Sequence, residues 1–242
     1  MKMALYGISV AVLAEQLKRK FPSPMQVWYA DDFSTTASGR AAQPLMKRLG
    51  EIGPWRGVFP EPAKSQYIRS AQVTEEAARD AAKGTTVQHE AGSRTLGGHI
   101  GSPEIRDTWI TRQVSDWAEW VKALGRIATR FPKTAYAGLV KALQNEWTYL
   151  QQTTTGSGSL YTPIEKVITE DFLPALLGQA TTGQTMRNQT ALAVKRAGLG
   201  IPNPTTTTGE NYSASIDCSE LLVESLLTGE PINIVAHQKH AT

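Results

Sequence analysis

The chain has 242 residues, of which 40% are hydrophobic and 19% charged, and its formal net charge is +3. These values describe a globular protein of one large or two small domains, and they exclude attraction of nucleic acid by the whole-protein charge. The single cysteine, Cys218, excludes an intramolecular disulfide and a metal site built from cysteines. It favours an intracellular protein, nuclear or cytoplasmic, over a secreted one.

Residues 4–20 predict the first helix. Its apolar residues near one face are Leu5, Ile8, Val12 and Leu17. The run from Lys2 to Ala14 also resembles a short signal peptide, an alternative that the cysteine content argues against. No later segment is apolar for long enough to span a bilayer, so we expect no membrane partner.

Two adjacent carboxylates, Asp31 and Asp32, follow a run of strand-forming residues. Residues 25–30 predict one strand and residues 33–37 a second, which puts both aspartates at the tip of a tight hairpin. Two neighbouring carboxylates repel each other unless a divalent cation neutralises them, and Mg²⁺ prefers oxygen ligands of this kind. The alternative is an ordinary polar turn, in which aspartate is common.

The rest of the first hundred residues alternates helices with short strands. Residues 39–52 predict a helix, residues 64–68 a strand, residues 74–83 a helix capped by Thr74, and residues 87–90 a strand. Residues 95–101 predict a bent strand or small hairpin whose glycines allow close backbone approach. Residues 1–102 are therefore predicted to be an α+β domain, with a small antiparallel sheet and helices on one face.

Residues 103–152 predict a second domain of two long antiparallel helices that meet at Pro132. The apolar seam consists of Ile110, Val114, Trp117, Val121, Leu124, Ala128 and Phe131, followed by Tyr136, Leu139, Leu143, Trp147 and Leu150. A basic line on the first helix consists of Lys122, Arg126 and Arg130, with Lys133 just beyond. Such a line can bind phosphates or can simply be a solvated face.

Residues 153–242 predict a helical C-terminal extension with polar loops. Helices are predicted at 164–177, interrupted by Pro174, at 184–196 and at 213–227. The polar segments 151–159 and 203–209 predict flexible loops.

In this order, the motifs resemble the second half of a reverse transcriptase palm and its thumb, as in non-LTR retrotransposons. The family's catalytic hairpin carries a tyrosine, any residue and two aspartates, and is similar to Tyr29-Ala30-Asp31-Asp32. A palm lysine near the incoming triphosphate matches Lys64. The primer-grip hairpin resembles Leu96-Gly97-Gly98, and the paired helices of residues 103–152 take the place of the thumb.

The resemblance implies an RNA-directed DNA polymerase that acts on an RNA template and a DNA primer. Two Mg²⁺ or Mn²⁺ ions about 3.5–4 Å apart would be held mainly by Asp31, with Asp32 as a secondary ligand. Lys64 would neutralise charge on the departing phosphate or protonate it. Small Ala30, beside Tyr29, would leave space for the primer end.

Three features of the family are missing here: an upstream aspartate, the fingers that hold the template, and the loop that selects the nucleotide. The family places a further aspartate on a strand upstream of the first helix, whereas no Asp or Glu precedes Glu15 here. Two ligands without the third should bind Mg²⁺ weakly. We therefore expect a truncated or descended polymerase that does not polymerise by itself, unless another chain supplies the upstream half.

Two other functional classes remain open. One is a nucleic-acid-binding module without catalysis, derived from a retroelement and using the basic helix and the hairpin of residues 95–101. The other is an unrelated helical scaffold in which the two aspartates form a bare turn.

Overall fold

A computed structural model describes residues 2–29, 32–70, 72–83, 87–179 and 183–240. The chain divides into two compact units, Met1–Ser93 and Arg94–Thr242. Helices dominate and the strands form short sheets, so the predicted α+β class is confirmed. None of the described helices is both long enough and apolar enough to cross a membrane. The predicted division at residues 102 and 152 stays a prediction.

The first unit contains three helices, four strands and one 3₁₀ turn among its described residues. In chain order they are α1 (Lys2–Lys20), β1 (Met25–Tyr29), β2 (Asp32–Thr36), α2 (Gly39–Ile52), the 3₁₀ turn Pro54–Arg56, β3 (Gln66–Ile68), α3 (Glu75–Ala82) and β4 (Gln88–Glu90). Thr74 caps α3 as predicted, because its hydroxyl accepts a hydrogen bond from the Ala77 N–H.

The core of the first unit lies between α1 and α2. Its fully buried residues are Leu13, Leu17, Leu45 and Leu49, against which Trp28 and Phe33 pack. The predicted helix at residues 39–52 is confirmed as α2. The predicted face of α1 is wrong because Ile8 and Val12 are 65% and 40% exposed. The run of apolar residues in α1 offers more than one apolar face, and α1 buries the face that carries Leu13 and Leu17.

The predicted single antiparallel sheet is replaced, among the described strands, by three sheets of two strands each. Strands β1 and β2 are antiparallel, whereas β3 and β4 are parallel. Parallel strands require a crossover connection, which the segment containing α3 supplies. The third pair consists of β5 (Gly92–Thr95) and β6 (Gly98–Gly101), which form the small hairpin predicted at residues 95–101.

The second unit is built from helices. They are α4 (Pro103–Ala128), α5 (Pro132–Gly138), a π-helical segment (Leu139–Leu143), α6 (Gln144–Thr153), the 3₁₀ turn Gly158–Tyr161, α7 (Thr162–Val167), a second π-helical segment (Ile168–Phe172), α8 (Leu173–Leu177), α9 (Gln184–Ala191), the 3₁₀ turn Val194–Arg196, α10 (Pro204–Thr228) and α11 (Ile234–His240).

Helix α4 and the α5–α6 segment are antiparallel, as predicted. A Cβ atom at Gly138 would lie 3.2 Å from a methyl group of Leu124. The ring centroids of Trp117 and Trp147 are 6.3 Å apart. Residue numbers thus rise along one helix as they fall along the other. Most of the predicted seam is buried in one core, but Phe131 is 53% exposed because it follows the end of α4.

The two segments predicted as polar loops differ from that prediction in part. Residues 151–153 end α6 whereas residues 154–157 belong to no helix, and residues 204–209 begin α10. Gln151 is fully buried: its Nε2 donates to the Pro204 carbonyl at 2.8 Å and its Oε1 accepts from Asn211 Nδ2 at 2.7 Å. The polar residues therefore satisfy one another between two helices. Asn203 caps α10 through the Thr205 N–H.

Two further helix predictions met different outcomes. The segment from Thr162 to Leu177 is helical throughout, and a π-helical segment precedes Pro174, which does not end the helix. The helix predicted at residues 184–196 is wrong beyond Ala191. There the chain reverses so tightly that a Cβ at Gly198 would lie 1.9 Å from the Leu192 carbonyl oxygen. A continuous helix cannot make this reversal.

A buried ion pair joins α7 to α9. The guanidinium of Arg187 donates to both carboxylate oxygens of Glu165 at 2.7 Å and to the Ile201 carbonyl at 2.8 Å. The side chains are only 3% and 17% exposed. Removing one partner of such a pair leaves a charge without compensation in a poorly hydrated place.

We expect Arg187→Met to lower the free energy of unfolding by about 3–5 kcal/mol, because Glu165 would lose its partner. Urea denaturation followed by tryptophan fluorescence measures the loss. The control is Lys166→Met, which removes an exposed pair with Glu170 at 3.9 Å and should cost less than about 1 kcal/mol. Equal losses in the two variants would show that the buried pair has no special role.

Candidate functional site

The β1–β2 hairpin presents one half-buried face and one exposed face. Tyr29 pairs with Asp32 and Trp28 with Phe33, whose ring centroids are 4.4 Å apart. The two inner rings pack on the core of the first unit, whereas Tyr29, 66% exposed, and Asp32 face solvent. Ala30 and Asp31 lie outside the described residues. The hairpin itself is confirmed, with Asp32 as the first residue of its second strand.

The Asp32 carboxylate makes no hydrogen bond or ion pair with another described residue. An exposed oxygen ligand without a protein partner can bind a hard cation. No group of three or more His, Cys, Asp or Glu side chains converges within the described ranges. The magnesium site therefore stays a prediction.

Lys64 lies in a turn before β3, with its backbone N–H bonded to the Glu61 carbonyl at 3.0 Å. The predicted strand 64–68 thus begins only at Gln66. The Lys64 side chain is exposed and has no hydrogen-bond or ion-pair partner in the described part of the chain. Because β3 and the β1–β2 hairpin form separate sheets, no strand pairing joins Lys64 to Asp32. The catalytic role of Lys64 stays a prediction.

The turn between β5 and β6 consists of Leu96 and Gly97. Their φ angles are +49° and +82°, and a two-residue hairpin turn with both φ values positive matches the twist of the strands. Positive φ is unusual for leucine, which here is also 55% exposed. A hairpin tip with a bulky residue in this conformation must be held in place by its surroundings.

Helix α6 holds this turn. The hydroxyl of Tyr149 donates to the Leu96 carbonyl at 2.7 Å. A Cβ at Gly97 would lie 2.7 Å from the Tyr149 ring, and one at Gly98 would lie 3.2 Å from the Thr154 hydroxyl. The predicted close backbone approach of the glycines is therefore confirmed, and what approaches them is a helix of the same unit.

His99, on β6, stacks on Trp109 of α4 with ring centroids 5.7 Å apart. Neither ring nitrogen has a hydrogen-bond partner among the described residues. Burial lowers the pKa of His99, and the positive charge of Arg106 lowers it further. The imidazole is therefore neutral at neutral pH and contributes an aromatic surface, not a charge.

The basic line of the second unit is exposed. It consists of Lys122 and Arg126 on α4, Arg130 just after the end of α4, and Lys133 on α5, and none of the four has a carboxylate within 4 Å in the described ranges. Phe131, 53% exposed, follows Arg130 in the chain, and the Arg130 guanidinium lies 5.3 Å from the centroid of its ring. Exposed cations beside an exposed aromatic residue suit a polyanion with flat bases.

Sequence reasoning missed a small cleft in the second unit. Its volume is about 170 Å³, and the lining side chains include Arg94, Trp109, Gln113, Trp117, Glu146 and Tyr149. The signal that could have found it is the spacing of four between Trp109, Gln113 and Trp117, which puts them along one side of a helix. Three aromatic rings with a few polar groups are typical of a ligand site.

No protein-family model, curated protein or solved structure matches this chain. The resemblance to reverse transcriptases therefore depends on its motifs alone.

We expect Gly97→Ala to lower the free energy of unfolding by about 2–4 kcal/mol, because alanine is strained at positive φ and its methyl group would overlap the Tyr149 ring. Denaturant unfolding measures the loss. The control is Gly178→Ala, where φ is +66° and no atom of a described residue lies within 4 Å of the added carbon. Gly178→Ala should lose only the stability that alanine costs through backbone strain at positive φ. Equal losses in the two variants would contradict the role of Tyr149.

Proposed function

We propose that this chain comprises the C-terminal palm and thumb portion of an RNA-directed DNA polymerase of the non-LTR type. The observation that carries the proposal is the β1–β2 hairpin. It pairs Tyr29 with Asp32, within a motif, Tyr29-Ala30-Asp31-Asp32, that resembles the catalytic hairpin of the family. A small glycine hairpin is followed by the antiparallel pair of α4 and α5–α6. This is the order in which the primer-grip hairpin and the thumb helices follow each other in the family, and it supports the proposal.

The donor chemistry of this hairpin fits hard divalent cations. Asp31 and Asp32 would hold Mg²⁺ or Mn²⁺, which would activate the primer 3′-hydroxyl and stabilise the pyrophosphate that leaves. Tyr29 and Ala30 would flank the primer end. The exposed ammonium group of Lys64 would offset negative charge on the triphosphate. The partners in this reaction are an RNA template and a DNA primer.

We further propose that the 242 residues do not complete the metal site alone. Mg²⁺ gives up its water reluctantly and needs several well-placed carboxylates. Adjacent aspartates supply two, and a third would come from the upstream part of the palm, which these residues do not include. Without that third carboxylate the chain would be a weak metal binder and a poor polymerase when it is pure.

We expect the purified chain to bind Mn²⁺ weakly at the hairpin and to extend no primer on an RNA template. Asp31→Asn with Asp32→Asn should abolish the bound-Mn²⁺ signal in electron paramagnetic resonance, because both carboxylate ligands are removed. The control is Asp116→Asn with Glu119→Gln, which removes two exposed carboxylates from α4 and should leave the signal unchanged.

Mn²⁺ binding that survives in the hairpin variant would contradict the metal site. Clear primer extension by the pure chain, lost in the same variant, would keep the polymerase and overturn the proposal that the metal site needs a further carboxylate.

A second candidate is a nucleic-acid-binding module without catalysis. The observation that favours it is the exposed basic line of Lys122, Arg126, Arg130 and Lys133, whose charges no carboxylate neutralises within the described part of the chain. With a net charge of only +3, affinity for a polyanion must come from such a local cluster. This candidate needs no metal, so it would still hold if the β1–β2 hairpin bound no cation.

We expect Lys122→Glu with Arg126→Glu to weaken binding of single-stranded DNA and to reduce the salt slope by about two, one for each lost phosphate contact. Fluorescence anisotropy at several salt concentrations measures both quantities. The matched control is Lys195→Glu with Arg196→Glu, which changes the net charge equally at another exposed place in the same unit. If both variants lose the same affinity, binding follows net charge and the basic line is not the interface.

A further inference from the structure

The cleft of the second unit combines aromatic walls with polar side chains that have no partner among the described side chains. Trp109 and Trp117 come from α4 and Tyr149 from α6. The side chains of Arg94, Gln113 and Glu146 also line it, and no hydrogen bond or ion pair joins them to another side chain in the described ranges. A cation, an amide and a carboxylate are therefore available to a ligand.

The aromatic walls are fixed before any ligand arrives. The Tyr149 hydroxyl is bonded to the Leu96 carbonyl, and the ring lies against Gly97. Trp109 stacks on His99, and Trp117 is 5% exposed and in contact with Trp147. Rings that are already ordered lose little conformational entropy when a flat ligand stacks on them.

The size of the cleft limits the ligand. A volume of about 170 Å³ lies below the range of about 300–1,000 Å³ for sites that enclose drug-sized molecules. One planar heterocycle fits this space, whereas the sugar and phosphate of a nucleotide would have to remain outside. Arg94, an exposed cation on the lining, suits a phosphate at that position.

The carboxylate of Glu146 selects among heterocycles. A carboxylate accepts two hydrogen bonds side by side and donates none when ionised. Guanine presents two adjacent donors on its pairing edge, N1–H and the N2 amino group, whereas adenine presents an acceptor at N1. Unpaired bases are read in this way, by stacking on aromatic side chains and hydrogen bonds to the pairing edge.

We propose that this cleft binds one unpaired guanine base of a single strand, with Glu146 on its pairing edge and Trp109 and Tyr149 as stacking walls. The inference rests on the nucleic-acid binding proposed above and adds base selectivity to it. The basic line on α4 supplies affinity for the backbone without regard to sequence. The cleft supplies the preference for guanine.

The test compares labelled oligothymidylates of about twelve nucleotides that carry one central dG or one central dA. Fluorescence anisotropy should give an affinity at least about fivefold higher for the dG strand, because paired hydrogen bonds to a base edge discriminate by that much or more. Glu146→Gln should abolish the preference. An amide offers only one acceptor and sets a donor against the guanine donors.

The matched control is Glu119→Gln, which removes the same charge from an exposed position on α4 outside the cleft. It should keep the preference for dG. Loss of a negative charge by itself strengthens binding to every strand, so a lower affinity for dG in Glu146→Gln cannot arise from net charge.

Equal affinity for the two strands, or a preference that survives in Glu146→Gln, overturns the guanine site. If binding then still falls in Lys122→Glu with Arg126→Glu, the nucleic-acid-binding function stands without the cleft. If no strand binds, both the guanine site and the nucleic-acid-binding function are overturned. Binding of a short arginine-containing peptide that Glu146→Gln abolishes, with no base preference, would assign the cleft to a protein partner and also overturn the inference.

Discussion

The contact between Trp117 and Trp147 is the interaction on which the second unit depends. It fixes the antiparallel register of α4 against α5–α6, with ring centroids 6.3 Å apart in the centre of the core. That register determines which residues remain at the surface. Trp109 and Gln113 come to line a cleft with Glu146 and Tyr149. The same register leaves the basic line of α4 in solvent, so both candidate binding surfaces follow from the packing of one pair of helices.

Buried polar groups determine how the C-terminal helices attach to this core. Gln151 bonds four partners on α10, and Arg187 holds Glu165 and the Ile201 carbonyl. Each of these contacts is directional and leaves a costly orphan group if one partner is removed. Segments rich in Gln, Asn and Thr can therefore be ordered helices when their side chains bond across an interface. Apolar area alone would not specify this arrangement.

The two proposed activities rest on different units. The carboxylate hairpin belongs to the first unit, where its inner rings pack on the small core formed by α1 and α2. The basic line, the β5–β6 turn and the aromatic cleft belong to the second. Metal-dependent chemistry and strand binding can thus be separated by mutation, since each depends on contacts within its own unit. A polymerase would use both activities, metal-dependent chemistry and strand binding. Nucleic-acid binding by the second unit does not depend on the resemblance to a polymerase.

The sequence by itself determined most of what local patterns encode. It predicted the β1–β2 hairpin, the seam of α4 and the glycine hairpin before α4, because residue periodicity and turn chemistry are local properties. Tertiary structure decided the rest. The buried face of α1, the helical start of α10 at Pro204 and the role of Gln151 depend on what packs against each segment. The cleft joins residues about forty positions apart, so only the pairing of two helices could create it.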